Sequence, residues 1–130
     1  MTQLSIIYKI YLEADDISAS RIKSCTAFMR RLLEGSRNSY LKHADIDDES
    51  DLDEFTMRFY IENSIHEDVC TSTDDAESFV LDMAELLDKA ASAQSYMDME
   101  GSFSWEFDGR QKKYRFQSES GQDYCEIVEE

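Results

Sequence analysis

The stretch Met97-Asp98-Met99-Glu100-Gly101-Ser102-Phe103-Ser104-Trp105-Glu106-Phe107-Asp108-Gly109-Arg110-Gln111-Lys112-Lys113-Tyr114-Arg115-Phe116 decides the fold. Its first half places Met97, Met99, Gly101, Phe103, Trp105 and Phe107 in strict alternation with polar residues, the two-residue period of a strand with one buried face. Asp108-Gly109 then supplies the two residues that tolerate positive φ, which a type I′ turn needs at both central positions. A two-residue turn fixes the register of everything that follows. Phe107 falls opposite Arg110, Trp105 opposite Lys112, Phe103 opposite Tyr114 and Gly101 opposite Phe116. Aromatic residues then face aromatic residues, and the Trp105 ring can lie along the Lys112 stem.

Working outward, Ser118 to Gly121 turns the chain and Tyr124 to Val128 reads as a last strand. On the other side, Thr71, Ser72 and Thr73 precede a helix over 74–93, with Asp74 and Glu77 in the D-x-x-E form of a capping box. Ala76, Phe79, Val80, Met83, Leu86, Leu87 and Ala90 share an arc of roughly 120° on that helix, and the acids occupy the opposite side around one exception, Leu81. Farther upstream, Phe55, Met57, Phe59 and Ile61 alternate with polar residues, so a strand with a buried Phe/Ile face is expected there. His66-Glu67-Asp68 reads as the polar loop after it. Leu4 to Leu12 is another strand, apolar on both sides at its start. Asp15, Asp16 and Ser18 introduce a helix over about 17–34, with Gly35 as its C-terminal cap. The segment of about 36–54 carries few apolar anchors and reads as a long acidic loop with a helical turn around Tyr40.

The expected fold is therefore a single α+β domain over residues 1–130. Its order is β-α-β-α-β-β-β, a mainly antiparallel sheet of about five strands with two helices packed on one face, in which the first strand could pair with the second in either sense. Ile6, Phe59, Phe79, Met83, Phe103 and Trp105 are core candidates.

Charge is distributed unevenly. From His43 to Gly109 there are 20 acidic residues against Arg58 and Lys89, a net of −18, whereas the whole chain carries −16. Such a field repels phosphate and draws basic surfaces, so it sets the sign of a partner. Apolar residues make up 42% of the chain, enough for a core despite that charge. Nothing approaches the ~20 apolar residues of a membrane helix, and the N-terminus has no signal-peptide pattern, so a cytosolic protein is expected. The odd set Cys25, Cys70 and Cys125 is no disulfide framework and is expected as reduced thiols in or near the core. Proline is absent.

Asp45, Asp47, Asp48, Glu49, Asp51 and Asp53 approach the pattern of a calcium loop, since acids fall at alternate positions from Asp45. The pattern fails where geometry is strictest: Ser50 replaces the glycine at position 6, and Thr56 replaces the bidentate glutamate at position 12. No serine lies in G-x-S-x-G and no glycine-rich phosphate cradle occurs, so no catalytic residue, metal or cofactor is expected. Arg21, Lys23, Arg30 and Arg31 form a basic helix face and Lys112, Lys113 and Arg115 a second cluster, expected to pair with the protein's own acids rather than with nucleic acid.

Asp74, Glu77, Glu85 and Asp88 project within a narrow angle along the predicted second helix, around Leu81, at a charge spacing comparable to a nucleic-acid backbone. In composition and size, though in no motif, the chain resembles the class of small acidic inhibitors of phage or mobile elements, such as anti-CRISPR and anti-restriction proteins. The expected function is a non-enzymatic acidic binding protein that occupies the basic nucleic-acid-binding groove of a partner such as a nuclease. The expected contacts are the six loop acids and Asp74, Glu77, Leu81, Glu85 and Asp88, with Leu81 or Tyr40 as apolar anchor. Two alternatives remain at this level: an immunity-type protein that neutralises a basic toxin, and a small-molecule or catalytic domain with a pocket of Trp105, Tyr114 and Tyr124. No membrane partner is expected, and a homodimer on the edge of the last strands is compatible with all three.

Overall fold

The computed structural model describes residues 2–69, 73–94 and 96–130. Strand β1 (Thr2–Ala14) is followed by helix α1 (Ala19–Glu34), a single turn α2 (Ser39–Lys42), the short strand β2 (Asp47–Asp48), β3 (Met57–Val69), helix α3 (Asp74–Ala93), β4 (Asp98–Phe107), β5 (Arg110–Ser118) and β6 (Glu126–Glu129). The strands form one six-stranded sheet in the order β2-β3-β1-β4-β5-β6, and every neighbouring pair is antiparallel. The α+β class, the mainly antiparallel sheet and the helices on one face are as the sequence led one to expect; the sense in which β1 pairs with β3, open at that level, is antiparallel.

The first strand takes the centre. Leu4, Ile6, Tyr8, Ile10 and Leu12 are buried under the helices, with Phe59 and Ile61 of β3 and Phe103, Trp105 and Phe107 of β4 on the same side. From α3, Phe79 packs its ring against Tyr8 at 5.7 Å and edge-on to Phe103 at 6.0 Å between centroids. Helix α1 joins that core through Ile22, Cys25, Met29 and Leu33. Tyr8, without access to water, donates its hydroxyl to the Tyr40 carbonyl at 2.5 Å, which satisfies the one polar atom it buries and ties α2 to the sheet.

The hairpin register is the expected one at all four positions: Phe107 pairs with Arg110, Trp105 with Lys112, Phe103 with Tyr114 and Gly101 with Phe116. Asp108 and Gly109 hold φ of 51° and 77°, the left-handed pair that the turn demands. Phe103 and Tyr114 stack with centroids 4.8 Å apart. Ser18 caps α1, its hydroxyl accepting from the Arg21 N–H at 3.3 Å. Gly35 closes the helix through its N–H to Arg31, in a right-handed conformation. Helix α3 buries the expected arc, with Ala91 in it and Val80 half-buried. Its N-cap is Thr73, whose hydroxyl bonds to Glu77 at 3.3 Å, so Asp74 lies in the first turn instead of capping it. Thr71, Ser72 and Cys70 lie outside the described residues; Cys25 and Cys125 are buried free thiols.

Four expectations need correction. The acidic segment of 36–54, expected as a loop, contains β2, which pairs Asp47 with Tyr60 and Asp48 with Phe59 and brings the sheet to six strands, close to the expected five. An edge strand exposed on both sides has no apolar alternation, so nothing in its pattern announces it. His66-Glu67-Asp68 lies within β3, which runs to Val69 because it pairs along the whole of β1. Phe55 does not join the buried face: it sits outside β3 at φ 57° and is 54% exposed. The last strand begins at Glu126, two residues later than expected.

Candidate functional site

The acidic face of α3 follows from helical spacing. Asp74, Asp75, Glu77, Leu81, Glu85 and Asp88 are all exposed, and Leu81, at 71%, is the most exposed large apolar residue described. The carboxylates are nonetheless not a uniform row. Glu85 pairs with Lys89 at 2.8 Å, and that hydrogen bond and charge, with a smaller contribution from Arg37, hold its carboxyl below the usual range. Asp82, half-buried on the flank, accepts from the Asn38 amide at 3.1 Å, and Asp88 accepts from the Cys125 backbone N–H at 3.2 Å. Part of the acidic content of α3 thus fastens the helix to α2 and to the segment before β6.

The second acidic object is ordered. Beyond β2, Asp51 and Thr56 exchange backbone hydrogen bonds at 3.0 Å and close a hairpin onto β3. Asp51 accepts the N–H groups of Asp53 and Glu54 at 3.0 and 3.2 Å, Asp48 accepts that of Ser50 at 3.0 Å, and the Phe55 carbonyl accepts from the Ile17 N–H at 3.0 Å. Local side-chain bonds of this kind are why Asp and Ser favour turns. Leu52 at 39% and Phe55 at 54% exposure crown the hairpin among Glu49, Asp51, Asp53 and Glu54. Tyr40 is 8% exposed with its hydroxyl on Glu67, so the exposed large apolar side chains of this segment are Leu52 and Phe55 instead. Burial, with Glu67 beside it, raises the Tyr40 phenol well above its ordinary value.

The two objects lie in different layers. α3 covers the sheet above Tyr8 and Phe103, whereas Asp45 and Asp47 border a cleft with Tyr11, Tyr60 and Glu62 on the side away from the helices.

That far side is the feature sequence reading missed. Tyr11 and Tyr60 meet there edge to face at 5.4 Å, and the Tyr11 hydroxyl donates to Glu62 at 2.8 Å. The signal was present in Ile7, Tyr11 and Tyr60, large residues on the polar side of their strands. Lower on the same face, His66 sits between Ser5 and Ser64, at 2.8 and 3.1 Å. Alternation sends Glu67 to the opposite face, where it meets the Tyr40 hydroxyl, away from the imidazole. Trp105 is 5% exposed, so the trio of Trp105, Tyr114 and Tyr124 opens no cleft around its indole.

The expected basic clusters divide. Lys112 and Arg115 pair with Glu129 and Glu130 at 3.5 and 2.5 Å, and the Arg21 guanidinium lies 4.8 Å from the Tyr96 ring centre. Among the described residues no group of three or more His, Cys, Asp or Glu is placed to hold a metal ion, and no helix is long and apolar enough to cross a membrane. No protein-family model, no curated protein and no solved structure matches this chain.

Proposed function

We propose that the protein is a non-enzymatic acidic inhibitor that occupies the basic nucleic-acid-binding groove of a partner protein, acting as a nucleic-acid mimic in the manner of anti-restriction or anti-CRISPR proteins. One observation carries the reading: Leu81 stands 71% exposed at the centre of the α3 carboxylates. A fixed row of charge steers a basic partner and an apolar anchor within it supplies the desolvated contact that holds it, the combination found at interface hot spots. The hairpin repeats the arrangement with Leu52 and Phe55 among Asp51, Asp53 and Glu54. At 1.5 Å per residue, helix geometry spreads Asp74, Glu77, Glu85 and Asp88 along about 21 Å as two pairs, each with an internal rise of about 4.5 Å, near the ~3.4 Å charge interval of one DNA strand, with Leu81 between the pairs.

The test is capture of partners from lysate at low and high salt, followed by elution with duplex DNA or RNA. Wild type is compared with a variant carrying Asp74→Asn, Glu77→Gln, Glu85→Gln and Asp88→Asn. The expected partner elutes with nucleic acid, is lost at high salt and is lost from the variant. A partner indifferent to salt, to nucleic acid and to the four substitutions overturns the proposal.

A further inference from the structure

The sheet face opposite the helices carries a single cross-strand row that spans all six strands. Asp47 of β2 pairs with Tyr60 of β3, Tyr60 with Tyr11 of β1, Tyr11 with Glu100 of β4, Glu100 with Gln117 of β5, and Gln117 with Glu126 of β6. Paired residues point to the same side, so these six side chains form one line, about 24 Å long at ~4.8 Å per strand. Clefts of about 360, 490 and 520 Å³ run along it, and Tyr11 borders all three.

We propose that this row is a docking surface for an extended, arginine-bearing segment of a basic protein, laid across the strands with Tyr11 beneath its centre. Charge complementarity commits the occupant. Asp47, Glu100 and Glu126 enter no ion pair among the described residues, while the guanidinium groups bordering the groove are already engaged: Arg58 with Glu13 and Asp15 at 3.6 and 3.0 Å, Arg115 with Glu130 at 2.5 Å. Among the described residues the row therefore offers carboxylates and no cation of its own, although Lys9, one row along β1 on the same face, enters no ion pair. Between Asp47 and Glu100 lie the two tyrosine rings, and a guanidinium, planar and weakly hydrated, stacks on such rings where an ammonium keeps its water. At ~3.4 Å per residue, about seven extended residues cover the row. The helices lie on the other side of the sheet, so this surface stands or falls independently of α3.

The test is titration of the isotope-labelled protein with acetyl-(Arg-Gly)4-amide and its lysine counterpart at low salt, followed by NMR. Amide shifts centred on Tyr11, Tyr60 and Glu100 are expected, with the arginine peptide binding about fivefold more tightly than the lysine peptide. Glu100→Gln and Tyr11→Leu each weaken it about tenfold, whereas Glu85→Gln on α3 leaves it unchanged. Glu100→Gln alters only an exposed side chain and keeps the test valid if Tyr11→Leu fails to fold. Equal affinity for the two peptides, shifts centred on α3, full affinity in Glu100→Gln, or self-association that covers the same amides without peptide overturns the proposal.

Discussion

At the scale of single residues, Gly101 is where the sheet tolerates no other side chain. A Cβ there would lie 1.9 Å from the Lys9 carbonyl oxygen and 2.8 Å from the Phe116 ring, in the middle of the β1–β4 ladder. Backbone cannot give way as a side-chain tip can, so Gly101→Ala is expected to lower unfolding free energy by about 3 kcal/mol in urea titration; a loss under about 1 kcal/mol would show that the strands shift cheaply. Cys25 makes a second prediction. Burial pushes its thiol from about 9 up to about 11, and the thiol donates to the Gln94 side-chain carbonyl. The unfolded chain ionises first, so the stability is present below pH 9 and is lost as pH rises from 9 to 11, by about 2 kcal/mol. Urea titrations across that interval should show a shallower decline in Cys25→Ala than in wild type, and equal slopes would refute the assignment. The sequence placed Gly101 opposite Phe116, but the crowding that requires glycine comes from β1, ninety residues away.

At the scale of elements, α3 and the β4–β5 hairpin were legible because their patterns are local. Phe79 and Met83 are fully buried while Leu81 is 71% exposed on the same helix. Phe79→Ala is accordingly expected to cost about 4 kcal/mol and Leu81→Ala no more than about 0.5 kcal/mol in the same denaturation assay. Partner capture should be lost in Leu81→Ala despite that unchanged stability. A destabilised Leu81→Ala would mean that the residue packs inward. β2 and the far half of β3 were not legible. Asp47 and Asp48 become a strand because Tyr60 and Phe59 present an open edge, and Asn63 to Val69 continue one because β1 lies beside them.

For the molecule as a whole, a charge of −16 on 130 residues is a standing electrostatic cost. Its exposed ion pairs, such as Lys112 with Glu129, return little. Shortening the Debye length from ~30 Å at 0.01 M salt to ~8 Å at physiological strength weakens the repulsion, so Tm should rise by about 5 °C across that change. A fall in Tm would show that ion pairs outweigh repulsion. The sequence by itself determined the class of the fold, the α3 core arc, the Leu81 exception, the hairpin register and the sign of the surface, because each depends on periodicity, turn chemistry or formal charge within a few neighbouring residues. Tertiary structure alone decided that β1 is central and that Asp51 and Asp88 are partly spent on the protein's own backbone. It also set the line from Asp47 through Tyr60, Tyr11 and Glu100 to Glu126 on one face. Those relations join residues far apart in the chain, and only strand pairing, driven by burial of the helix-covered face, brings them together.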